Sequence, residues 1–345
     1  MVIAPASHAC RHPGLLVTGL AAILAALTVG ARAIPTGRST VRSTPTPQDS
    51  CAAARASDPV LMSGNVTVRP LYAEVLQYVN DATTQPGADR FSLWSTDVHG
   101  TSGLPSGFFT NQADSRLLNL MTAQDLRCIV ADMQRADVGG VALRAAQQDT
   151  ALLSGPPTTI YILPFGWGSP FPQLNITTGF SDSNVVLLTL WEPSSPSSRQ
   201  DAASIGADWA CYIPDLTAHE CFEVARYARI GVGPAYVNLL ANMVTDGMAD
   251  SFAFAQTHVS HPWDNNLTPQ EERNTWDFIQ PHLLDQSEQD AVMFGGGAFN
   301  FPADTGYTIG FHIVQGYLAR HPGVSFPTLA GMSTDTVFAG SGYNG

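Results

Sequence analysis

The chain of 345 residues carries 29 acidic and 16 basic side chains, a formal net charge of −13, and every basic residue is arginine. With no lysine there is no polybasic patch, which argues against nucleic acid and anionic membrane surfaces as partners. A composition 44% hydrophobic and only 13% charged argues against wholesale disorder and leaves enough apolar material for a proper core.

Residues 1–33 read as a secretory signal peptide. Arg11 precedes the apolar run Leu15 to Val29, which is short for a membrane span, and Ala31-Arg32-Ala33 offers an A-x-A cleavage pattern. An uncleaved anchor is the alternative. No other stretch reaches spanning length, so the expectation is a secreted, extracellular protein without membrane attachment after cleavage. Residues 34–58, rich in Pro, Ser and Thr, read as a flexible leader, and 59–345 as one domain, helical to about 150. Cys10 leaves with the signal, and Cys51, Cys128, Cys211 and Cys221 remain, an even number in an oxidising compartment. Four cysteines allow three pairings; Cys51–Cys128 with Cys211–Cys221 closes the shorter loops, and no free thiol is expected. Asn65, Asn175 and Asn266 head acceptor sequons for glycosylation.

Leu71, Val75, Leu76 and Val79 recur at helical spacing, Leu117, Leu118, Leu120 and Met121 cluster further on, and Leu126, Ile129, Val130 and Met133 form an apolar face opening at Thr122, a good N-cap. Residues 158–163 are β-branched and aromatic and 185–191 are almost continuously apolar; both predict strands, with the Gly- and Pro-rich stretch from Pro164 to Pro172 as a loop. Helices return over Pro214 to Ile230, closed by Gly231, and from Pro234 to about Thr257. Thr268 with Glu271 forms a capping box, and Gly306 to Leu318 is a further helix. Helices, a small sheet, then helices make the fold class α+β.

The chemistry concentrates in His219-Glu220-Cys221-Phe222-Glu223. His219 and Glu223, four apart, project from one helix face, the placement of two metal ligands with Glu220 between them as a general base. Asp246-Gly-Met-Ala-Asp250 lies on the next helix, and two antiparallel helices bring Asp246 back beside the first pair. Taken with Pro262-Trp263, Phe294-Gly and Gly306-Tyr-Thr-Ile-Gly-Phe, this order of blocks resembles the predicted zinc-dependent protease domain family, a domain of unknown function, over roughly 120–340. Members typically read H-E-x-x-H, then E-G-L-A-E, then G-Y-x-I-G. The resemblance implies a zincin-like, gluzincin-type fold: an edge strand for substrate, an active-site helix and a second, acidic helix.

It also implies metal ligands at His219, Glu223 and Asp246, with Glu220 as the base for the attacking water and a peptide or protein as substrate. Two positions depart from the pattern: Glu223 stands for the second His, and Asp246 for the third-ligand Glu. Zinc remains the ion the resemblance implies, while so hard and anionic a set takes away part of zinc's advantage and admits manganese or calcium. Asp250, Tyr307 and His312 are accessory candidates. Other readings stay open. Glu223 is also spaced to pair with Arg226, and His219 to bond a backbone carbonyl. His258-Val-Ser-His261 has metal-like spacing but reads as a polar turn at a frayed helix end; Gly306 and Gly310 read as a close-packing face, and Gly295-Gly-Gly297 as a mobile loop. No G-x-S-x-G nucleophile occurs, and nothing specific points to a two-carboxylate glycosidase. Two functions follow: a metal-dependent peptide-bond hydrolase, or a catalytically silent binding module that holds no metal.

Overall fold

In β2 (Val66–Pro70) the buried Val66, Val68 and Pro70 alternate with the partly exposed Thr67 and Arg69, the period of two that a half-buried strand requires. The computed structural model describes residues 51, 54–56, 59–105, 118, 122–167, 177–192, 202–286, 289–295 and 300–345. The expected signal peptide, nearly all of the leader, Asn175, most of the 117–121 cluster and two of the three glycines at 295–297 lie outside these residues. Gly64, at φ 59°, turns β1 (Leu61–Ser63) back onto β2 as an antiparallel pair. The sheet continues through β3 (Thr158–Trp167), β4 (Thr177–Asp182) and β5 (Val185–Glu192) in the order β1-β2-β3-β5-β4. Both inner pairings are parallel and β4 is antiparallel to β5, so the sheet is mixed and the fold is α+β.

The two expected strands lie side by side, with Ile160 opposite Val186. The loop expected from Pro164 begins later, because β3 runs to Trp167 with an irregularity between Pro164 and Gly166. β2 pairs only as far as Ile162. Pro164, which has no N–H, therefore sits where β3 has lost one neighbour and needs no donor on that side.

α1 (Tyr72–Thr84) and α2 (Ala123–Arg135) pack together, and Thr122 opens α2 with a full capping box through Asp125. A disulfide joins Cys51 to Cys128, fastening the end of the leader to α2. α3 (Val138–Leu153) packs on α4 (Ala202–Ile230), which also meets β4 and β5. The sequence places the start of α4 at Pro214, but the helix begins a dozen residues earlier and carries Pro214 inside it. An interior proline costs about 3 kcal/mol; the buried Trp209 and Ile213 just before it are fully packed in the core and offset that cost.

The cysteine expectation needs correction on the same helix. Cys221 is a free, buried thiol and Cys211 is disulfide-bonded elsewhere. Ten residues along one helix separate two side chains by about 15 Å, far beyond the Cα spacing a disulfide spans. Burial, then Asp149, pushes the Cys221 thiol well above its ordinary range, leaving it neutral and inert.

α5 (Leu239–Thr257) starts later than its proline suggested. Pro234 belongs to a short turn of helix, Val232–Ala235, and Asn238 is the true N-cap, its side-chain oxygen accepting from the Ala241 N–H. α6 (Pro269–Ile279) has the expected Thr268 capping box, and α7 (Thr305–Arg320) crosses α5. Gly310 makes that crossing possible: a Cβ there would stand 1.9 Å from the Met243 carbonyl oxygen. No helix among the described residues is long and apolar enough to cross a membrane.

Candidate metal centre

α4 and α5 run antiparallel, as a ladder of side-chain bonds shows. Asp215 accepts from Thr257, His219 meets Asp250, and Arg226 donates to Thr245. Ascending one helix descends the other. That register is what returns Asp246 to the His219–Glu223 face. The apolar neighbours Phe222, Val224, Met248 and Phe252, all buried, hold the two helices at this spacing.

His219, Glu223 and Asp246 each contribute one ligand atom, and the three atoms lie within 4.8 Å of one another in a buried site. His219 Nε2 is 3.9 Å from Glu223 Oε1 and 3.9 Å from Asp246 Oδ1. Its Nδ1 is 2.7 Å from Asp250 Oδ1. A carboxylate on one ring nitrogen fixes the tautomer and aims the other nitrogen, the usual support for a ligand histidine. Asp250 is thus placed behind the centre, and its second oxygen accepts from Trp263 Nε1 at 3.0 Å.

Glu223 does not pair with Arg226. Its Oε2 accepts from Ser181 Oγ at 2.7 Å and Tyr227 OH at 2.8 Å, and its Oε1 from Tyr236 OH at 2.7 Å. Three hydroxyl donors demand an acceptor, so the cage selects a carboxylate at this position and holds it toward His219. Arg226 turns the other way, onto Thr245 and the carbonyls of Ala330 and Met332. Ser181 comes from β4, Tyr227 from α4 and Tyr236 from the turn before α5, positions that sequence spacing could not connect.

The electrostatics are those of anions crowded out of water. Burial first and Glu223 second push Glu220 up to about 8, and its Oε2 has no hydrogen-bond partner among the described residues. Burial, then Glu223, raises Asp246 well above the usual carboxylate range. For His219 burial works against the charged ring, yet Asp250, Glu223 and Glu220 outweigh it and hold the group at about 10. Four buried carboxylates around one imidazole attract positive charge, whether protons or a metal. One imidazole and two carboxylates, converging and pre-oriented, fit a divalent ion.

Tyr307 lies at the edge of this field. Burial, then Asp246, Asp250 and Glu223, pushes its phenol well above the ordinary value, so it stays a neutral donor. His312 does not join the site: its ring bonds Glu272 at 2.7 Å on α6. Asn65 and Asn266 are exposed, each donating its amide to backbone carbonyls. The polar turn expected over His258-Val-Ser-His261 holds for its first residue only. His258 is the exposed C-cap of α5 in a left-handed conformation, whereas His261 is buried beside Asp215 and Asp250. Its metal-like spacing and the neighbouring Trp263 were the available signal.

A family model described as a predicted Zn-dependent protease matches residues 143–338. That span runs from within α3 past α7 and contains the whole centre. No curated protein and no solved structure matches the chain.

Proposed function

The chain belongs to the predicted Zn-dependent protease family, and from that premise we propose that it is a secreted, zincin-like metallopeptidase hydrolysing peptide bonds at the His219 centre. The observation that carries the reading is the convergence of three buried ligand atoms from two helices within 4.8 Å, one of them a histidine held from behind by Asp250. His219, Glu223 and Asp246 would hold the ion, zinc by family and manganese or calcium by the carboxylate-rich donor set. When bound, the ion supplies Lewis-acid polarisation of the scissile carbonyl and acidifies water.

The remaining chemistry belongs to the chain. Glu220 takes the proton from the attacking water as its oxygen adds to the carbonyl carbon, and passes it to the leaving amine as the C–N bond breaks. Its raised affinity for a proton suits both halves of that exchange. The β4 edge lies against α4 next to the centre, and an extended substrate fits there as an added antiparallel strand, with backbone hydrogen bonds setting its position. Tyr307, a neutral phenol beside Asp246 and Asp250, is the candidate donor to the oxyanion that forms. Residues 1–33 act as the signal, 34–58 as the leader and 59–345 as the domain.

Metal analysis of the purified protein, combined with peptidase assays, tests this. Stoichiometric zinc or manganese lost in Glu223→Gln and Asp246→Asn supports the ligand set. Glu220→Gln should keep its metal and lose activity. Protein that takes up no metal at the His219 centre sinks the reading and leaves a binding module built on the same fold.

A further inference from the structure

Behind the His219 centre the chain brings together a second set of ligand atoms. Asp250, His261 and Asp264, all buried, each offer one atom within 4.8 Å of the others. His261 Nδ1 stands 3.4 Å from Asp250 Oδ1 and 3.7 Å from Asp264 Oδ1. Ligands about 2.1 Å from a shared tetrahedral centre are roughly 3.4 Å apart, so these separations suit a common ion.

The second set repeats the construction of the first. His219 has Asp250 on Nδ1 and presents Nε2 to two carboxylates. His261 has Asp215 Oδ2 at 2.5 Å from Nε2 and presents Nδ1 to two carboxylates. Trp263 stacks on the His261 ring, centroids 4.4 Å apart and planes within 9°, and donates its indole N–H to Asp250 Oδ2. Asp264 Oδ2 accepts from the His261 backbone N–H at 2.7 Å and from Ser260 Oγ at 3.2 Å. The ring and both carboxylates are therefore held by other groups; of the inward atoms, Asp250 Oδ1 already meets His219 Nδ1 at 2.7 Å, while His261 Nδ1 and Asp264 Oδ1 are left over.

Those atoms are the second, independent observation. Neither ring nitrogen of His261 nor Oδ1 of Asp264 makes an aligned hydrogen bond among the described residues, although His261 is 6% and Asp264 0% exposed. No arginine among the described residues forms an ion pair with Asp215, Asp250 or Asp264. Three buried carboxylates crowd the His261 ring, and its Nδ1 and Asp264 Oδ1 remain without an aligned partner among the described residues. A buried polar atom without a partner is destabilising unless something fills the role.

We infer that Asp250, His261 and Asp264 form a second divalent-cation site, linked to the His219 centre through Asp250. One imidazole and two carboxylates favour manganese or zinc over soft thiophilic ions. The site stands on its own geometry and does not require the peptidase reading. Because Asp250 also orients His219, an ion here would stiffen the ligand of the first centre without touching substrate.

The full chain, stripped with chelator and equilibrated with manganese chloride, should retain two manganese per chain. His261→Gln and Asp264→Asn should each retain one, and Glu223→Gln should also retain one, the other. A single ion that survives His261→Gln and Asp264→Asn but vanishes in Glu223→Gln overturns this site and leaves the first. A single ion with the opposite pattern supports this site and overturns the first, and no retained ion overturns both. If the variants fail to fold, manganese anomalous scattering from wild-type crystals decides. A peak between Asp250, His261 and Asp264 supports the site, and a peak only at the His219 centre overturns it.

Discussion

The α1–α2 layer and the α4–α5 seam are both buried, yet they are held by opposite means. In the first, Val75, Leu76 and Val79 meet Leu126, Ile129, Val130 and Met133, and Cys51–Cys128 closes the layer covalently. Each such side chain contributes about 1.5–3 kcal/mol by leaving water. In the seam, His219, Glu220, Glu223, Arg226, Asp246 and Asp250 occupy the equivalent interior positions, where burial of charge is costly unless it is paired. Apolar residues on the remaining faces of α4 and α5 sustain that cost. The layer exists to be stable; the seam spends part of that stability on a pre-formed acidic site.

Several perturbations separate the two, beginning with the largest. Glu220→Gln should lower peptide hydrolysis by about 10²–10⁴-fold while melting temperature and metal content stay near wild type, since this residue is neither ligand nor structural support. Activity assays beside metal analysis check it, and an unchanged rate would remove Glu220 from the reaction. Gly310→Ala should break the seam from outside. The added methyl would meet the Met243 carbonyl at 1.9 Å, forcing α7 away from α5 at more than about 3 kcal/mol, the top of the usual range for overpacking. Denaturant melts should show that loss, with weaker metal retention because α5 carries Asp246.

Opening the Cys51–Cys128 disulfide, by Cys51→Ser with Cys128→Ser, should act only on the layer. The bond closes a loop of 77 residues, and its loss should cost about 2–4 kcal/mol. Metal stoichiometry should be untouched; a parallel loss of metal would show that the two regions are coupled. The smallest effect concerns Asp149 on α3, buried against α4 with Oδ2 lacking a hydrogen-bond partner among the described residues. Burial, then Asp215, raises it from 3.8 to about 8. The folded protein keeps a proton that the unfolded chain gives up, so this residue's contribution to stability falls as pH rises from about 4 to about 8. Asp149→Asn should flatten that slope and add roughly 1–2 kcal/mol at pH 8. Thermal melts across the pH range check both, and an unchanged slope would refute the assignment.

Local rules were legible wherever a short stretch decides its own structure. Thr122 and Thr268 cap the helices their sequences announce, because a capping box needs only four consecutive residues. The strands at 158–163 and 185–191 announce themselves by continuous apolar, β-branched runs. β1 and β4 carried no such mark, since a short edge strand is stabilised mainly by the neighbour it pairs with, and β2 showed only a brief apolar–polar alternation. Pro214 misled for the related reason that propensity is a weak prior where Trp209 and Ile213 find a full core.

At the site, the spacing of His219 and Glu223 and the return to Asp246 followed from helical period and a short connection. What no spacing contained was the surroundings that give these residues their character. The hydroxyl cage on Glu223 draws on a strand, a helix and a turn. Cys221 stays a thiol because a helix carries it away from Cys211. His261 is buried beside Asp215 and Asp250 because the turn after α5 folds back on α4. By itself the sequence determined which residues share a helix face, since backbone geometry repeats every few residues. Only the tertiary structure decided which faces meet, because burial, pairing and charge depend on groups brought together from distant parts of the chain.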